Sequence, residues 1–288
     1  MASCSAGVAE TAVNKSFKAL LIRAGRGMAM LIGDIMSKDP LYVEEDDHVT
    51  KARQLIRDGQ LRGLPVLNRD GNVVGIVSIQ DMLKITSTRS NVTVSGFVTE
   101  TPLVTVDDDM KDVAKHLLTG MYVILPVVES AEVHRLMGVV SPVDVFGHID
   151  LEKVPDKNIE DIMSTKPNTC TAQDLVTKVW DKMLESDFTG LPVVDEKGKP
   201  LGMITRFDIL KRGGARIGKE ERVRSKDVMR VEQLMSTPLY SIDPKTTLRE
   251  AIGVMLKREL GRISVVDDDK LVGIVDRYDL IEAIFGVE

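Results

Sequence analysis

Four times along this chain a glycine is followed six residues later by an aspartate, with a hydroxyl or acidic residue three places before that aspartate. Gly75 leads to Ser78-Ile79-Gln80-Asp81, Gly138 to Ser141-Pro142-Val143-Asp144, Gly202 to Thr205-Arg206-Phe207-Asp208, and Gly273 to Asp276-Arg277-Tyr278-Asp279. A fixed spacing repeated at intervals of tens of residues means one supersecondary unit used several times, which excludes most single-core folds.

Other markers recur in step with it. Met36-Ser37, Val98-Thr99, Met163-Ser164 and Met235-Ser236 each precede a proline (Pro40, Pro102, Pro167, Pro238). Proline biases its predecessor away from helix, so a short extended segment is expected there. Apolar residues then fall at helical spacing: Val49, Ala52, Leu55 and Ile56 in the first unit, Leu175, Val176, Val179, Met183 and Leu184 in the third, Leu248, Ala251, Ile252, Met255 and Leu256 in the fourth. Trp180 lies on such a stripe and is expected in the core. Two short apolar runs follow, split by a turn, as in Leu64-Pro65-Val66-Leu67, Asn68 to Gly71, and Val73 to Val77. Asn, Asp and Gly between β-branched runs signal a hairpin. The signature and a second helix close the unit. The expected fold class is α/β (α+β), with four β-α-β-β-α repeats. In the second repeat the first helix reads as one residue shorter. A unit of this size buries too little surface alone, so units one and two, and three and four, are expected to pair.

The reading divides the chain into an extension (1–30), units at 31–90, 91–152 and 158–213, a basic linker (214–228) and a fourth unit (229–288). Residues 211–230 carry eight Lys or Arg against three acids, a net +5 that leaves the rest at −11. This segment is either a solvated linker or a basic arm for an anionic partner. The overall charge of −6 argues against bulk nucleic-acid binding. No apolar run reaches the ~20 residues of a membrane span, and Leu20-Leu21-Ile22 is too short for a signal peptide. Two cysteines in unlike contexts, Cys4 and Cys170, suit the cytoplasm. The histidines lack metal spacing, and no catalytic constellation or phosphate-binding glycine loop is readable. The run Asp107-Asp108-Asp109 reads as a helix cap rather than a metal site.

The combination Met163-Ser164, Pro167, Leu191-Pro192-Val193-Val194-Asp195 and Gly202 to Asp208 resembles cystathionine-β-synthase (CBS) domains, and the likeness extends over about residues 32–288. Such domains pair into Bateman modules. A four-domain chain is similar to the gamma subunit of AMP-activated kinases and to archaeal stand-alone nucleotide sensors. The resemblance implies two modules forming a disc, with AMP, ADP or ATP, or S-adenosylmethionine, as regulatory ligand in the clefts and no catalytic cofactor. It gives a ribose role to Asp81, Asp144 and Asp208 and hydroxyl contacts to Ser78, Ser141 and Thr205, with Asp279 as the matching carboxylate of unit four, where a ligand is least expected. Thr169, Thr189, Gly190, Leu191 and Pro192 would line the base in the third unit. Arg62 and Arg262 stand where the family faces phosphates, and Arg206 and Arg277 follow the signature residue directly.

Helix capping accounts for the same pattern without a ligand, since Ser/Thr-x-x-acid is a capping outline worth about 1 kcal/mol. Unit four separates the roles: Asp276 caps as well as a hydroxyl, but a carboxylate repels phosphate. Occupancy is therefore expected in the order unit three, one, two, four. The function expected is a non-enzymatic, cytoplasmic nucleotide-binding regulator that signals to a partner protein, with homodimerisation left open. Two rivals stay open: a nucleic-acid-binding protein using 211–230, and an S-adenosylmethionine-binding regulator.

Overall fold

The computed structural model describes residues 30–84, 92–186, 188–211 and 229–286. The extension, and nearly all of the basic segment, lie outside them. After a short helix α1 (Ile32–Ile35) and strand β1 (Ser37–Lys38), unit one runs β2 (Val43–Glu44), α2 (Val49–Asp58), β3 (Gly63–Leu67), β4 (Val73–Ser78) and α3 (Ile79–Lys84). Unit two runs β5 (Val104–Thr105), α4 (Met110–Thr119), β6 (Leu125–Val128), β7 (Leu136–Val140) and α5 (Pro142–Gly147). Unit three, after β8 (Ser164–Thr165), runs β9 (Cys170–Thr171), α6 (Val176–Glu185), β10 (Gly190–Val194), β11 (Pro200–Thr205) and α7 (Arg206–Lys211). Unit four runs β12 (Ser241–Ile242), α8 (Leu248–Lys257), β13 (Arg262–Asp267), β14 (Lys270–Asp276) and α9 (Arg277–Phe285). The β-α-β-β-α expectation holds in all four.

Within each unit the first strand lies parallel to the second, and the second antiparallel to the third: Val43 faces Val66, for example, and Leu64 faces Val77. The parallel pair needs a crossover, which the first helix supplies. That helix buries one stripe: Val49, Ala52 and Ile56 in α2, Val176, Val179, Trp180 and Met183 in α6, Leu248, Ala251, Ile252 and Met255 in α8. Trp180 is core, at 5% exposed. Each fully buried aliphatic side chain of such a stripe stabilises by roughly 1.5–3 kcal/mol. The helix of unit two is not shortened: α4 has ten residues like α2, α6 and α8. Asp109 lies just outside it and accepts from the Lys111 N–H at 2.7 Å, so the acidic run is a cap, as read.

The units pair by exchanging strands. β1, from the Met-Ser stretch ahead of unit one, leaves its unit and joins β7 of unit two, Ser37 opposite Val139. Thr99, ahead of unit two, bridges back to Ile76 of unit one. Units three and four repeat the exchange: β8 joins β14, and Ser236 bridges to Met203. This exchange explains the signature glycine. A Cβ on Gly202 would stand 2.5 Å from the Ser236 carbonyl oxygen, and one on Gly273 2.5 Å from the Met163 sulfur. The Met-Ser stretch and the glycine are two halves of one contact, and each module has it twice.

Candidate functional site between units three and four

Each signature residue caps the helix that follows it. The Thr205 N–H and hydroxyl both donate to Asp208 Oδ2, at 2.8 and 2.5 Å. Ser78 does the same to Asp81 (3.0 and 2.5 Å), and Ser141 to Asp144 (2.8 and 2.6 Å). In unit two the other carboxylate oxygen accepts from Ser37 Oγ at 3.3 Å, so the exchanged strand reaches Asp144. Unit four keeps the geometry with different chemistry. The Asp276 N–H donates to Asp279 Oδ2 at 2.7 Å, while Asp276 Oδ1 accepts from the N–H groups of Tyr278 (2.8 Å) and Asp279 (3.3 Å).

A cleft of about 320 Å³ opens where the exchanged strand crosses between units three and four. Its unit-three wall is Ser164 to Asn168, Phe188, and Gly190, Leu191 and Pro192; its unit-four wall is Arg262, Ile274, Asp276 and Asp279. Five expected site residues thus meet there: Gly190, Leu191, Pro192, Arg262 and Asp279. The carboxylate opposite the unit-three wall belongs to unit four. Asp208 and Thr205, expected beside that wall, do not line this cleft, because β8 carries residues 164–168 out of unit three and onto β14. Thr169 lies one residue beyond the lining segment, and its carbonyl accepts from Lys182 Nζ at 3.0 Å. Ser164 to Pro167, Phe188 and Ile274 line the cleft without having been expected there; the Met-Ser-to-proline repeat marks the first four, and nothing in the pattern marks Phe188 or Ile274.

Arginine forms the other half of the site. Arg262 reaches from unit four to unit three, donating from Nη1 to the Gly190 carbonyl at 3.0 Å and from Nη2 to Thr189 Oγ1. Thr189 therefore touches the site through Arg262. A Cβ built on Gly261 would lie 3.6 Å from both Arg62 Nη2 and Arg277 Nη1, so guanidiniums from units one and four converge on that glycine. Arg277 also lies over the Phe146 ring of unit two at 5.7 Å. Burial holds Arg262 below its usual pKa, with Asp276 working the other way and Arg62 adding repulsion. Burial, then Arg62, brings Arg277 down to about 10. Arg206 is placed otherwise: at 4% exposed it donates from Nη2 to the Met183 carbonyl, closing α7 onto the end of α6. Burial, and then the charge of Asp276, pushes Asp279 up to about 6. Among the described residues no group of His, Cys, Asp and Glu could hold a metal ion, and no helix is long and apolar enough to cross a membrane. Burial pushes the Cys170 thiol up to about 12, which makes it an inert core residue.

Comparison with known proteins joins these observations. The CBS domain family profile matches residues 32–87, 159–214 and 231–286. The chain belongs to the CBS domain family. Unit two, outside the matched spans, has the same elements as the other three. The uncharacterized protein MJ1404 of Methanocaldococcus jannaschii is 27% identical over 266 residues, 88% of this chain and 61% of that protein. This chain thus spans about three fifths of that relative. The crystal structure of MJ1225 from the same organism, proposed to be an archaeal homologue of γ-AMPK, superposes with a TM-score of 0.73 at 22% identity, covering 88% of this chain and 99% of that one. An uncharacterized conserved protein of Pyrococcus horikoshii gives 0.65 at 21% identity, covering 88% and 100%. These two likenesses show the fold.

Proposed function

We propose that this CBS protein is a non-enzymatic regulator that binds adenosine nucleotides, with the cleft between units three and four as one binding site. One observation carries the reading. A hollow of nucleoside size has apolar walls at Pro167, Phe188, Pro192 and Ile274, a carboxylate at Asp279, and Arg262 at its edge with Arg62 and Arg277 nearby. Flat apolar walls take a purine, a carboxylate accepts from both ribose hydroxyls, and clustered guanidiniums take phosphate. The remaining signature carboxylates, Asp81, Asp144 and Asp208, offer the same ribose chemistry at the other repeats.

The signal would leave through α9. Asp276 and Asp279 face the cleft, while the two residues between them touch the other module. Tyr278 Oη donates to the Tyr122 carbonyl at 3.0 Å, and Arg277 lies on Phe146. A ligand that binds better to one setting of this turn shifts how the modules meet, and differential affinity is the only way it can do so.

Titration calorimetry and thermal shift with AMP, ADP, ATP and S-adenosylmethionine test the reading. A ligand at one hundred times its Kd stabilises the folded chain by about 2.7 kcal/mol. Binding by at least one of the four that is weakened in Asp279→Ala is the expected result. No heat and no shift with any of them overturns it.

A further inference from the structure

Unit four breaks the repeat at one position. Where the other units have Ser78, Ser141 and Thr205, it has Asp276. The structure shows what that carboxylate does. It accepts the Tyr278 and Asp279 N–H groups at the tip of the nine-residue helix α9, the donors that an incoming phosphate would otherwise meet. It lines the cleft beside Arg262 and Asp279. Its charge also offsets both Arg262 and Arg277. A carboxylate that caps the helix tip and balances the guanidiniums occupies the electrostatic place of a ligand phosphate.

Resting on the reading of this cleft as an adenosine site, we propose that Asp276 is its specificity-determining residue. It makes the cleft discriminate against adenosine ligands in step with the negative charge on their 5′ substituent. The sugar and base contacts are common to adenosine, AMP and ATP, so only charge separates the three here. A unit charge about 6 Å away in a water-like dielectric changes affinity roughly threefold. Removing the Asp276 charge therefore favours AMP, with two negative charges, by about tenfold and ATP by about thirtyfold or more. Adenosine changes less than about twofold on the same arithmetic.

Asp276→Asn is the variant to make, because Asn caps helices as well as Asp and keeps the side-chain shape; Asp276→Ser, the residue type of units one and two, is the second. Calorimetric titration of full-length wild type and variants with adenosine, AMP and ATP gives the affinities, and Asp279→Ala identifies the heat that belongs to this cleft. The expected result is a graded gain, ATP above AMP above adenosine, in both variants, shrinking as salt rises. An equal change for all three ligands, or no gain for ATP, overturns the specificity role while leaving the adenosine site standing. Binding of all three that is indifferent to Asp279→Ala, or no binding to any protein, overturns the site itself and the specificity role with it.

Discussion

Gly202→Ala tests the idea that the signature glycine exists for the exchanged strand. The new methyl would stand 2.5 Å from the Ser236 carbonyl oxygen and 3.1 Å from Thr237 Cγ2, so the crossing strand must retreat by roughly 0.5–1 Å. Met203 and Ser236 exchange both backbone hydrogen bonds across that contact, at 3.0 and 2.7 Å. Overpacking costs about 1–3 kcal/mol, and weakening two backbone bonds adds roughly 0.5–1.5 kcal/mol each. A loss of about 2–6 kcal/mol follows, large against the 5–15 kcal/mol of a typical domain. Gly253→Ala is the internal control. Gly253 lies in α8 with nothing within 4 Å of its would-be Cβ, so alanine there should stabilise by up to about 1 kcal/mol through helix propensity alone. Urea unfolding followed by circular dichroism reads both. A Gly202→Ala midpoint equal to wild type would refute the reasoning, since the repeated spacing would then have some cause other than close approach.

Three further outcomes follow from the site. Asp279 is raised to about 6 in the folded chain, above its unfolded value near 3.9. The folded state therefore binds more protons between about pH 4 and 6, and stability falls as pH rises through that window, levelling off above it. In Asp279→Asn that segment of a stability-against-pH curve flattens, and an unchanged slope would count against the burial of this carboxylate. Tyr278→Phe leaves the Tyr122 carbonyl without its donor and should cost about 1–3 kcal/mol in urea unfolding; a neutral result would mean that α9 is not tied to unit two. Arg262→Met removes the guanidinium that holds Thr189 and Gly190, and should weaken AMP by tenfold or more in calorimetry while adenosine changes less. Equal losses for both would place Arg262 in the frame of the cleft rather than against phosphate.

The repeat was legible because each unit must solve the same local problems. A hairpin needs Asn68 to Gly71, a crossover helix needs one apolar stripe, and a helix start needs Ser78 with Asp81; all of these are set by neighbours in sequence, and all appear where the pattern put them. The grouping of units was legible too, from size alone, since one such unit buries too little. What the spacing did not reveal is the exchange itself. The Met-Ser stretch opens each unit in sequence but belongs to its partner in space, so the wall ending in Pro192 meets Asp279 rather than Asp208. The same gap between order in the chain and position in space separates the four arginines. They look alike as residues flanking two motifs, yet Arg206 is spent on the Met183 carbonyl while Arg62 and Arg277 converge from different modules on Gly261. A residue's partner was thus legible in the sequence where it lies within about six positions, and not where it lies farther along the chain or in another unit. The contacts that join the two walls of this cleft are of the second kind, as in the Arg262 bonds to Gly190 and Thr189.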